Sequence, residues 1–150
     1  MIMEWRTHLL SGLAAGYVVT GDWRAAVVGG IAAVISDLDE PKSKFGKMVF
    51  PLSLLINKMF GHRTATHSLL FVVAVVLVLY PFTREWVWLS AGFGVIAHII
   101  GDMLTGKVQC FYPAPKEIGL NVTQRTFFLI DRCTALLLLV YLGKEMITTI

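Results

Sequence analysis

Six apolar runs divide the chain, and the residues that stop them are as informative as the runs. The first extends from His8 to Thr20 and stops at Gly21-Asp22. The second, Trp23 to Ser36, stops at Asp37-Leu38-Asp39-Glu40-Pro41, where proline forbids easy continuation of a helix. At ~1.5 Å per residue each of these cores reaches only about 20 Å, short of the ~30 Å hydrocarbon thickness of a bilayer. They predict a re-entrant or tightly packed hairpin rather than two full spans. Met48 to Phe60 is interrupted by Pro51, Asn57 and Lys58 and predicts an interfacial helix. Ser68 to Tyr80 is almost unbroken until Pro81, and Trp86 to Leu104 follows with Trp86 and Trp88 placed as interface anchors, so these two predict membrane helices. A polar loop with Pro113, Pro115 and Asn121 leads to the last run, Thr126 to Leu142, which carries Asp131-Arg132 near its start. An ionisable pair in such a helix needs a reason.

Composition agrees with the pattern. The 150 residues are 56% hydrophobic and 15% charged, and the mean hydropathy is +0.70, more apolar than ordinary soluble domains. The expectation is an all-α fold: a polytopic membrane helix bundle of about four to six short helices, forming a single membrane-embedded domain over residues 1–150. The N-terminus lacks a basic leader with a small-residue cleavage site, which predicts that the first helix is retained. A net charge of +3 does not point to nucleic acid, because the basic residues sit in loops flanking apolar runs. Cys110 and Cys133 match no metal or disulfide spacing and are expected as buried small hydrophobes.

The candidate chemistry emerges when the runs alternate up and down. The start of the first, the end of the second, the start of the fourth, the end of the fifth and the start of the sixth then share one membrane face, with the interfacial run lying along it. Those positions hold His8, Asp37 and Asp39, His62 and His67, His98 and Asp102, and Asp131. The four histidines of the chain therefore gather at one level. Nine of the thirteen basic residues fall on the same face, which the positive-inside rule assigns to the cytoplasm.

Local spacing adds detail. His98 and Asp102 are four apart on a helix and so share a face, and Gly101 between them permits close approach of another backbone. Asp37 and Asp39 offer two hard oxygen ligands; His62 and His67 flank Arg63, and Thr66 can cap the helix that follows. Mixed nitrogen and oxygen ligands without sulfur favour Zn, with Mn, Fe or Mg as alternatives, and seven ligands suffice for two divalent ions. Each piece also has a plain structural reading. The His98/Asp102 pair could close a helix end, the Asp37 to Pro41 segment could be a solvated stop, His8 could be incidental, and Asp131-Arg132 could be an ion pair that fixes helix orientation. Convergence on one face favours the metal site.

These residues carry a resemblance. Asp37-Leu-Asp-Glu-Pro-Lys-Ser43, Gly61-His-Arg-Thr-Ala-Thr-His-Ser-Leu-Leu70 and His98-Ile-Ile-Gly-Asp-Met-Leu-Thr105 resemble the three signature blocks of the YdjM-type family, LexA-regulated bacterial inner-membrane proteins described as metal-dependent hydrolases. His8 resembles the family's N-terminal histidine and Asp131-Arg132 its late acidic-arginine pair. Thr64 departs from the family block, which reads glycine there. The order of histidines and aspartates is more remotely similar to zinc-dependent phospholipase C, which implies phosphoester hydrolysis.

The sequence thus leads to a multi-pass protein of the bacterial inner membrane whose cytoplasm-facing metal site hydrolyses a phosphoester of a lipid or lipid-like substrate. His8, Asp37, Asp39, His62, His67, His98 and Asp102 are the candidate metal ligands, and Arg63, Asp39 and Asp131 the candidate catalytic groups. Membrane lipids are the expected partners. The rival is a non-enzymatic membrane protein with a structural or transport-related metal site. Transport predicts ionisable groups at mid-span, and Ser68 to Tyr80 has none.

Overall fold

The computed structural model describes residues 3–41, 43–61 and 63–149, and it is helical apart from one short ladder. Helices α1 (Trp5–Thr20) and α2 (Trp23–Ile35) form an antiparallel hairpin. Gly21 turns it with a left-handed φ of 67°, and its N–H closes α1 on the Tyr17 carbonyl at 2.7 Å. Asp22 starts α2 by accepting from the Arg24 backbone N–H at 2.8 Å. A 3-10 turn, Ser36–Asp39, prolongs α2, and α3 (Lys44–Met48) and α4 (Phe50–Phe60) follow. A second 3-10 turn, Ala65–His67, precedes α5 (Leu69–Leu79), then come α6 (Glu85–Thr105) and α7 (Gln124–Thr149). Between α6 and α7, β1 (Lys107–Val108) pairs antiparallel with β2 (Ile118–Gly119), an element the apolar pattern does not predict.

The all-helical expectation holds, but there are seven α-helices among the described residues rather than four to six. Pro51 does not interrupt α4; it sits in the first turn, where its missing N–H has no intrahelical partner to lose. Among the described residues two helices, α6 and α7, are long and apolar enough to cross a membrane. Helix α5, although almost wholly apolar, has 11 residues and reaches only about 16 Å.

Helices α1, α2 and α6 form the packed centre, and glycine sets how closely they meet. A Cβ at Gly12 of α1 or at Gly94 of α6 would collide with the Gly29 carbonyl oxygen of α2, and one at Gly29 would collide with the Gly12 carbonyl oxygen. The three backbones are therefore in direct contact at Gly29. Such contact suits a membrane interior, where helices associate through close packing rather than through expulsion of water. Helix α5 lies along α6, and Val72, Ala91, Val95 and Ile99 form their shared core with Ala32 of α2 and Cys110. Helix α7 is different. Only 17% of its apolar window is buried, against 50% for α6, and it leaves Leu136, Leu137 and Val140 exposed. Cys110 is buried as expected, whereas Cys133 is exposed because it lies on this uncovered helix.

Replacing Gly29 by valine forces α2 away from both neighbours. It is expected to cost about 3 kcal/mol or more of stability, measured by thermal denaturation in detergent. A Cβ at Gly143 would meet nothing within 4 Å, so Gly143→Val is expected to stay within about 0.5 kcal/mol of wild type.

Candidate metal centre

Five ionisable side chains from four segments meet in one buried volume. His8 closes the first turn of α1, and Asp37 lies in the 3-10 turn that ends α2. His67 ends the 3-10 turn before α5, and His98 and Asp102 lie one turn apart near the end of α6. The antiparallel α1/α2 hairpin sets the start of one helix beside the end of the other, and α6 packs across both. Asp37 is 2% exposed and the other four are fully buried.

Three of them form a seat of ionic size. His67 Nε2 lies 3.0 Å from His98 Nε2 and 3.0 Å from Asp102 Oδ2, and the remaining side of the triangle, His98 Nε2 to Asp102 Oδ2, is 3.8 Å. A triangle of these sides has a circumradius of about 1.9 Å. A point just out of its plane is therefore ~2.0–2.1 Å from all three atoms, the bond length of zinc to imidazole nitrogen or carboxylate oxygen. A second set, His8, Asp37 and His98, also brings its ligand atoms within 4.8 Å of one another. There the His8 and His98 rings stack at 3.8 Å, and Asp37 Oδ1 is 3.7 Å from His98 Nε2. Because one imidazole nitrogen carries one lone pair, His98 Nε2 serves one set at a time, and the compact triangle is the better seat.

The unmet bonding capacity of the site fits a cation. Among the described residues, both ring nitrogens of His8, Oδ1 of Asp37 and Oδ2 of Asp102 are buried with no hydrogen-bond partner. Each buried polar atom left unsatisfied costs ~1–3 kcal/mol, a cost that a cation bonded to several of them would remove.

The residues around the triangle hold it in place. Thr66 Oγ1 donates to Asp39 Oδ2 at 2.7 Å, which leaves its oxygen to accept from His67 Nδ1–H at 3.0 Å. This relay assigns a proton to Nδ1, so that Nε2 is the nitrogen turned into the triangle. Asp39 therefore stands behind His67 and belongs to neither ligand set. Thr66 does not cap α5; Ser68 does, accepting from Phe71 N–H at 3.3 Å. Gly101 admits the Met3 side chain and the His8 ring against α6, not another backbone.

Arg63 closes the other side. Its backbone is left-handed at φ 59°, a conformation that a non-glycine residue keeps only where its surroundings hold it. Its N–H donates to Asp39 Oδ2 at 3.0 Å, and its carbonyl accepts from Gln109 N–H at 3.0 Å. The guanidinium donates from Nη2 to Asp102 Oδ1 at 2.9 Å and lies against Gly106, where a Cβ would strike Nη1. Its Nε is buried without a partner, and the side chain is 12% exposed.

In the 3-10 turns that carry the site, two titrations are displaced. Burial pushes the Asp37 carboxyl up to about 6, opposed by the nearby His8. Burial alone would lower His67, but the neighbouring Asp102 and Asp39 carboxylates outweigh this and raise it to about 9.

Of the remaining candidates, His62 lies outside the described residues. Asp131 is buried away from both ligand sets: its Oδ1 accepts from the Glu4 backbone N–H at 3.1 Å. Helix α1 has no side-chain cap of its own, so Asp131 supplies one from α7. Arg132 Nη2 reaches Glu4 Oε1 at 3.5 Å. The Asp131-Arg132 pair thus ties α7 to the start of α1 rather than pairing internally.

A family model described as YdjM inner membrane protein matches residues 3–150. The chain is 30% identical over 135 residues to the uncharacterized protein YvsG of Bacillus subtilis (strain 168), a match covering 83% of this chain and 82% of YvsG. It is 37% identical over 92 residues to the inner membrane protein YdjM of Escherichia coli (strain K12), covering 57% of this chain and 47% of that protein. The YdjM of Shigella flexneri matches to the same extent. The aligned part thus spans about half the length of the two YdjM proteins. No solved structure matches the chain.

Thr66→Val removes the relay that orients His67 while keeping side-chain size. Its zinc dissociation constant, measured by competition with a chelator, is expected to rise ~10–100-fold with helicity unchanged. With His67 at about 9 and Asp37 at about 6, the metal-free protein at pH 7.5 holds a proton on His67 and little on Asp37. Zinc binding there is expected to release about one proton, read by calorimetry in buffers of different ionisation enthalpy. Apparent affinity should rise with pH and level off above about 9. A proton count of zero would remove His67 from the ligand set.

Proposed function

The chain belongs to the YdjM inner membrane protein family, and from that premise and the geometry of its buried cluster we propose that it is a membrane-bound metal-dependent hydrolase. Its substrate is a phosphoester of a lipid or lipid-like molecule. The observation that carries this reading is the His67–His98–Asp102 triangle with the Arg63 guanidinium on the far oxygen of Asp102. Zinc is the first choice of ion, with manganese, iron or magnesium as alternatives, and His8 with Asp37 provides for a second. A divalent ion supplies Lewis acidity and a water that ionises near neutral pH.

The protein's own groups do the rest. Asp39 and Thr66 hold His67 in the tautomer that accepts a cation, and Asp131 fixes the start of the helix that carries His8. Arg63 uses Nη2 on Asp102, while its Nε, buried in the same region, has no partner. That leaves a donor for a phosphoryl oxygen, whose developing charge the guanidinium neutralises. Arg6, Lys44, Lys47, Lys58 and Lys107 lie toward the site's end of the helices, which supports a multi-pass arrangement with the centre facing the cytoplasm. At that depth the substrate phosphate is a lipid head group.

A second reading, a structural metal clamp, is favoured by one observation: the ligands are 0–2% exposed, and structural sites are closed. Chelation separates the two, since a clamp loses its fold with the ion and a catalytic centre keeps it.

The test uses zinc-loaded protein in phosphatidylglycerol–phosphatidylethanolamine nanodiscs, with head-group or phosphate release followed by mass spectrometry. Wild type is expected to release product and Asp102→Ala is not. Arg63→Ala, assayed at saturating zinc, is expected to turn over ~100-fold or more slowly. Arg63→Lys should restore part of that, because a point charge lacks the planar fork. No release with zinc, manganese, iron or magnesium would overturn the hydrolase reading.

A further inference from the structure

A groove of about 470 Å³ runs between α2, α5 and α6. Its walls are made only of valine, isoleucine, leucine, alanine and phenylalanine side chains. It extends from Val28 to Ile35 on α2, Phe71 to Leu79 on α5 and Val87 to Val95 on α6. All three walls deliver a ligand of the metal centre just beyond the same end. Ile35 is two residues before Asp37, Phe71 is four after His67, and Val95 is three before His98. The groove therefore leads from the metal centre toward the opposite membrane face.

Its lining and its position select the occupant. The groove is apolar throughout, runs about 12 Å along α5 from Phe71 to Leu79, and ends beside the residues of the metal centre. A hydrocarbon chain has no polar group to satisfy there, and a phospholipid whose head group lies at those residues carries one into the groove. Resting on the lipid-substrate reading above, we propose that this groove is an acyl-chain site, holding one tail of a phospholipid whose phosphate lies at the metal centre.

The site is tested with a phosphatidylglycerol carrying a diazirine near the middle of one acyl chain, photolysed with the full-length protein in nanodiscs and mapped by peptide mass spectrometry. The expected result is labelling of residues 28–35, 71–79 and 87–95 several-fold above that of Leu136, Leu137 and Val140, which face lipid on the open side of α7. Ala74 is an exposed wall residue, so Ala74→Phe fills the groove from outside. It should remove most of the groove labelling while zinc content and helicity remain wild type. Val78→Trp, at another exposed wall position, provides the same block should Ala74→Phe fold poorly. Labelling equal to that of α7, or groove labelling that neither block reduces, would overturn the site. Because the label reports binding without turnover, enriched labelling with no hydrolysis keeps the groove and removes the enzyme; hydrolysis with even labelling does the reverse.

Discussion

The rest of the structure depends on placing three imidazoles and two carboxylates together out of water. Each of these groups is well solvated in the unfolded chain and costly to bury unless another group compensates it. Thr66, Asp39 and Arg63 compensate part of the cluster with short hydrogen bonds. They do not reach His8, or the inward oxygens of Asp37 and Asp102. A cluster satisfied at its periphery, with its ligand atoms turned to its middle, is one that could hold a cation there. That is why the triangle of ligand atoms, rather than the number of acidic residues, is the informative quantity.

Bringing the groups so close constrains the helices. Groups from α1, the end of α2 and α6 meet in one buried volume because those helices approach closely, and the Gly12, Gly29 and Gly94 contacts provide that approach. The centre and the glycine contacts are therefore one design, with the latter setting the separation that the former needs. Helix α7 stands outside it. Its buried Asp131 reaches in to cap α1, which fixes the pitch at which His8 is presented without drawing α7 into the packed core.

Much of this was legible in the sequence, because helix alternation alone decides which run ends are neighbours. It placed His8, Asp37, His67, His98 and Asp102 at one level, and they meet there. What alternation cannot give is direction. Asp37 and Asp39 differ by two residues, and in a 3-10 turn they diverge, one toward the ligands and the other toward Thr66. Thr66 reads as a helix cap because a threonine before an apolar run usually is one; its real bonds run to residues 27 positions away and to the next ring. The β1/β2 ladder has two residues per strand, too few to show alternation. The exposure of Cys133 follows from how α7 packs, not from its own apolar sequence.

The location of the centre at helix ends follows from the same physics. Within a span every backbone group is bonded to its own helix, so side chains can approach one another only across a packed interface. At the ends, 3-10 turns and a left-handed residue such as Arg63 redirect the chain, and four segments can present groups to one point. The apolar groove between α2, α5 and α6 ends a few residues short of that cluster on each of its three walls. A phospholipid has the same division, with a charged phosphate above hydrocarbon. The arrangement of the protein has the same order and polarity, and this correspondence is what the proposed phospholipid substrate rests on.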